Sequence, residues 1–104
     1  MEEKFKVAKK YLQLKGMEIL EEIQEDKPVI VCNDGDDLVF VFVCDEIVDE
    51  NNAPFDHLAF VNVASNYLSE HVPDNDQAIR ADRFAMKVLP GNRAFIQHIV
   101  GWSK

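Results

Sequence analysis

The chain has 104 residues, 47% of them apolar, and a net charge of −8 from 11 basic against 19 acidic residues. That length suits one domain over 1–104 with a single core, and the apolar and aromatic content excludes a disordered chain. The acidic balance opposes a phosphate-tracking surface. No apolar run approaches the roughly 18–20 residues of a membrane span, and Met1-Glu2-Glu3-Lys4 does not lead into a signal-peptide core, so a cytoplasmic protein is expected.

From about Glu3 to Lys15, Phe5, Ala8 and Leu12 share one face of an amphipathic helix, flanked by Val7 and Tyr11, with Gly16 as its C-terminal cap. Lys4, Lys6, Lys9, Lys10 and Lys15 are read as its solvated face rather than a nucleic-acid patch. Met17 to Gln24 alternates as a first strand, and Asp26-Lys27-Pro28 makes a turn. Asp34-Gly35 then separates two β-prone runs at about 28–33 and 37–44, a strong hairpin signal. The second run is apolar from Leu38 to Cys44, which predicts a strand buried on both faces. Cys32 near the turn and Cys44 at the far end stand too far apart for a disulfide.

An acidic loop follows from Asp45 to Asn52. Asn52, with Pro54 in the first turn, predicts the start of a second helix reaching about Glu70 and burying Phe55, Leu58, Ala59, Val63, Ala64, Tyr67 and Leu68. Pro73 and Asp74-Asn75-Asp76 end it. Strands at about 79–88 and 94–100 are joined by Pro90-Gly91-Asn92. The order helix, three strands, helix, two strands predicts an α/β (α+β) domain, a central mixed five-stranded sheet flanked by two helices.

This order, with the residues that populate it, resembles the YraN family of small bacterial proteins, which have the restriction-endonuclease-like αβββαββ fold and belong to the superfamily of archaeal Holliday-junction resolvases. Ala8, Tyr11-Leu12, Lys15-Gly16 and Ile19-Leu20 look like the family's first-helix pattern. Asp34-Gly35-Asp36 with Leu38-Val39-Phe40-Val41 looks like its central hairpin. Ala64 with Tyr67-Leu68 falls on its middle helix, Arg80-Ala81-Asp82 on its Arg-Phe-Asp strand, and Ile96 with His98-Ile99 on its last strand.

The resemblance implies a divalent metal held by carboxylates and a lysine beside the attacking water. Taken position by position, the first-helix glutamate falls at Phe5 and the metal-binding aspartate at Val29, within Asp26-Lys27-Pro28-Val29. The Glu-x-Lys of the central strand falls at Phe42-Val43-Cys44, and the lysine that opens the middle helix falls at Asp56. Valine and phenylalanine ligate no hard cation, and cysteine is unsuited to magnesium. No catalytic, cofactor-binding or metal-binding residue is therefore expected, and no cofactor.

Other polar residues read more simply. Asp34, Asp36 and Asp37 lack the ligand series of a calcium loop and suit a turn. His57, His71 and His98 show no metal-ligand spacing. Arg80 and Asp82 share a strand face and predict a structural ion pair, and Trp102 is expected to pack. The leading expectation is a nuclease-fold protein without nuclease activity, serving as a binding or protein-interaction module. A protein partner or self-association as a homodimer through an edge strand or the Trp102 end is expected, rather than nucleic acid or membrane. Two alternatives stay open: a metal-dependent endonuclease or resolvase with carboxylates relocated to Asp26, Asp45 and Glu46, and a non-cleaving nucleic-acid binder using the first-helix lysines.

Overall fold

Helix α1 (Glu2–Leu14) exists because its apolar residues recur at helical spacing, and it ends where Gly16 takes a left-handed conformation (φ 88°). The Met17 amide bonds to the Leu12 carbonyl and the Gly16 amide to that of Gln13, which satisfies carbonyls the helix leaves open. A computed structural model describes residues 2–24, 27–71 and 77–102. The expected turn residue Asp26, and the helix-ending Pro73 and Asp74-Asn75-Asp76, lie outside these residues.

Five strands follow the expected order: β1 (Glu18–Ile23), β2 (Val29–Asp34), β3 (Asp37–Cys44), β4 (Ala78–Leu89) and β5 (Arg93–Ile99). They form one sheet in the order β1-β2-β3-β4-β5, antiparallel throughout except for the parallel β3–β4 pair. A parallel pair needs a crossover, and helix α2 (His57–Glu70) supplies it. The domain is α+β, as the order of elements predicts. Among the described residues, no helix is long and apolar enough to cross a membrane.

The β2–β3 turn is a two-residue connection in which Asp34 opposes Asp37 and Gly35 takes φ 61°, the left-handed backbone that glycine adopts without a Cβ clash. Beyond it, β3 is buried from Leu38 to Val43. Its alternate side chains feed two cores. Val39, Val41 and Val43 pack with Phe5, Ala8 and Leu12 of α1 and with Phe84. Leu38, Phe40 and Phe42 pack with Ala64 and Tyr67 of α2, Ala81 and Trp102. Two-sided burial of this strand follows from having one helix on each face.

The second helix starts later than expected. Asn52 belongs instead to a short 3-10 turn (Glu50–Asn52) capped by Asp49, and the chain then runs extended through Ala53, whose helical region the following proline disfavours. The α2 cap is Asp56, whose side chain accepts from the Ala59 amide at 3.0 Å. That phase carries Phe60, Val63, Ala64 and Tyr67 towards the sheet, while Leu58, expected in the core, is 70% exposed.

Truncating Phe40, which is wholly buried between α2 and the sheet, is expected to cost about 3–5 kcal/mol, and Leu58→Ala well under 1 kcal/mol. Urea midpoints of the two variants check both values.

Candidate functional site

Polar side chains gather, among other places, at the far end of β3 and around a buried carboxylate on β4.

At the end of β3, a cavity of about 230 Å³ is lined by Lys27, Pro28, Phe42, Val43, Cys44, Asp45, Asp56 and Trp102. Of the residues aligned above, Phe42 is a buried part of its lining and lies edge-on to the Trp102 ring with centroids 5.7 Å apart, Val29 is buried beside Phe42 in the same core, and Phe5 is buried in the core on the other face of the sheet. Trp102 itself packs, as expected, with its amide donating to the Ala81 carbonyl and its indole N–H to that of Ala53. The rim holds ion pairs already made. Lys27 Nζ lies 3.0 Å from the Asp56 carboxylate, and Lys4 pairs with Asp45. The Ala59 amide, with Lys27, holds the Asp56 carboxyl below its ordinary value, and a hydrogen bond from Lys4 does the same for Asp45.

The half-buried Cys44 thiol faces this cavity, and burial raises its pKa, so it stays protonated at neutral pH and is a poor nucleophile. Cys32, wholly buried, is pushed up to about 12 by burial and by the Asp82 charge. Both cysteines are free. Glu46 contributes its backbone carbonyl, which accepts from Arg83 at 2.7 Å. Of the proposed relocated ligands, Asp45 is committed to Lys4 and Asp26 lies outside the described residues. Among the described residues, no three His, Cys, Asp or Glu side chains are grouped as a metal site.

The second place is Asp82, with no exposed side-chain surface in the middle of β4. Its Oδ1 accepts from Arg80 Nε at 2.8 Å and from the Gly101 amide at 3.0 Å. Its Oδ2 accepts from Arg80 Nη2 at 3.0 Å and pairs with His98 Nε2 at 2.7 Å. Arg80 continues outward to Asp37 at 3.1 Å and Asp34 at 2.9 Å, so the guanidinium pins the β2–β3 turn to β4. On the other side, His98 Nδ1 lies 3.3 Å from the Tyr11 hydroxyl. With Asp82 ionised, Nε2 donates its proton to Oδ2.

Burial alone would raise the Asp82 pKa, but hydrogen bonds from His98, Arg80 and the Gly101 amide outweigh it and hold the carboxyl below its ordinary value. The same carboxylates raise the Arg80 pKa against its own burial. Burial and the Asp82 charge raise that of Tyr11, which therefore stays neutral. A histidine oriented by an aspartate can serve as a general base, yet both nitrogens of His98 are engaged and its side chain is 9% exposed. The cluster ties β4 to β5, α1 and the β2–β3 turn.

Sequence reasoning anticipated the Arg80–Asp82 pair but missed that Asp34, Asp37, His98 and Tyr11 join it. The available signal was alternation: Arg80 and Asp82 lie two apart on one strand face. The register that brings β5 and the turn to them is tertiary. No protein-family model, curated protein or solved structure matches the chain.

Asp82→Asn is expected to destabilise the fold by about 1–3 kcal/mol, because the buried carboxylate loses its charge-assisted hydrogen bonds to Arg80 and the Gly101 amide while Arg80 keeps Asp34 and Asp37. Since the folded pKa of Asp82 is depressed, its stabilisation is complete above the unfolded carboxylate value, about 3.9, and is lost as pH falls from there through the lower folded value. Urea unfolding from pH 7 down to pH 2 checks this, with a shallower acid loss expected in Asp82→Asn.

Proposed function

We infer that the chain is a YraN-like, nuclease-fold protein that does not cleave nucleic acid and acts in the bacterial cytoplasm as a binding or protein-interaction module. One observation carries this reading: the end of β3, where the resemblance would put metal-binding acids and a lysine, has the buried apolar floor of Val29 and Phe42, with Trp102 packed on it. A hard divalent cation needs oxygen ligands there, and burying it against valine and phenylalanine would cost far more than any remaining contact returns. The rim acids Asp45 and Asp56 already hold lysines. The charge of −8 favours a protein over nucleic acid as partner.

Incubated with branched and single-stranded DNA and magnesium or manganese, the protein is expected to leave every substrate intact, and manganese titration calorimetry to give no saturable heat. Cleavage that Asp45→Ala or Glu46→Ala abolishes would instead establish the relocated-site nuclease. A gel shift that weakens steeply with salt would favour the nucleic-acid binder.

A further inference from the structure

The two edges of the sheet are unlike. β1 is guarded against strand pairing by Glu18, Glu21 and Glu22 and by a bulge between Ile19 and Glu21. β5, Arg93-Ala94-Phe95-Ile96-Gln97-His98-Ile99, has no acid, lysine or proline, and it pairs with β4 without a bulge. Its one fixed charge is Arg93 at its first position. Around it Phe95 is 54% exposed, and Val88 on the adjoining strand 72%. An edge left in this state is a template for a further strand.

Arg93 and Glu50, towards the two ends of this edge, make no salt bridge among the described residues, nor does Lys87 on the adjoining strand. Among the described residues, the Arg93 side chain hydrogen-bonds only to the Pro90 carbonyl, at 3.3 Å. Glu50 is exposed in the 3-10 turn beside the other end of the strand, where a cleft of about 500 Å³ lies between Glu50, Asn51 and Asn52 on one side and Ile99 and Trp102 on the other. Among the described residues, the strand thus has a cation without a salt bridge at its start and an anion without one beside its end.

We propose that β5 pairs antiparallel with β5 of a second copy of this chain, joining the two five-stranded sheets into one and setting Arg93 of each copy against Glu50 of the other. A two-fold axis at Ile96 sets Arg93 opposite Ile99 of the second copy, and directly opposed residues of an antiparallel pair point to the same face. That face carries the loop before α2, since Gln97 on it bonds the Val48 backbone at 2.6 and 3.0 Å. One strand therefore meets both unpaired groups twice over, as an isologous contact requires. Two molecules of charge −8 repel overall, so association needs such a local match of opposite charge. An acidic peptide would satisfy Arg93 but face Glu50 uncompensated. The pairing does not depend on whether the chain cleaves nucleic acid.

Sedimentation equilibrium over a dilution series tests it. The expected result is a monomer–dimer equilibrium that Arg93→Glu weakens roughly tenfold or more, and that Arg93→Glu combined with Glu50→Arg restores. Phe95→Lys, at an exposed position of the same edge, is expected to abolish the dimer with the thermal midpoint of the monomer unchanged. Hydrogen exchange of the β5 amides is expected to slow as concentration rises. A monomer at every concentration overturns the proposal, as does a dimer indifferent to both single substitutions. A dimer lost instead in Leu58→Lys lies on α2 and also overturns it. Loss in Arg93→Glu without recovery in the double variant removes Glu50 and the register with it.

Discussion

The carboxylate of Asp82 is the interaction on which the rest of the structure depends. Sealed in the sheet, it accepts hydrogen bonds from Arg80 and the Gly101 amide and pairs with His98. Through these it reaches α1 by way of Tyr11, the β2–β3 turn by way of Asp34 and Asp37, β5, and the C-terminal turn that sets Trp102 on Phe42. A buried charge is stable only when every lone pair is met, so each of these elements is held to one position relative to β4. Apolar packing alone would hold them together without fixing their mutual registry.

The Asp82 network and the closed end of β3 are connected. Arg80 is used inside the fold, Arg83 reaches the Glu46 carbonyl, and Lys4 and Lys27 each hold a rim aspartate. The basic side chains near the chemistry-bearing strand ends are thereby occupied by the protein's own oxygens. Among the described residues, Arg93 at the start of β5 makes no salt bridge.

Much of the fold was legible because it depends on local signals. Phe5, Ala8 and Leu12 at helical spacing, Gly16 after them, and the Asp34-Gly35 turn between apolar runs each specify a conformation within a few residues. The unbroken apolar run from Leu38 to Cys44 predicts a strand covered on both faces, and it is buried from Leu38 to Val43, with Cys44 half-buried at its end. The start of α2 was misread because Asn52 and Asp56 are both competent caps. The choice between them rested on Ala53 being held extended before Pro54, with Asn52 taken into a separate turn.

The amino-acid sequence by itself determined the element order, the central strand and the absence of a carboxylate or ammonium group at Val29, Phe42 and Cys44, since residue identity and short-range periodicity suffice for these. Only the tertiary structure decided that Asp82, His98, Tyr11, Arg80, Asp34 and Asp37 form one cluster. Their separations along the chain reach 87 residues, and no local pattern encodes a contact at that range. It also decided which sheet edge stays open, because a bulge and an unpaired arginine acquire meaning only once strand order and register are set.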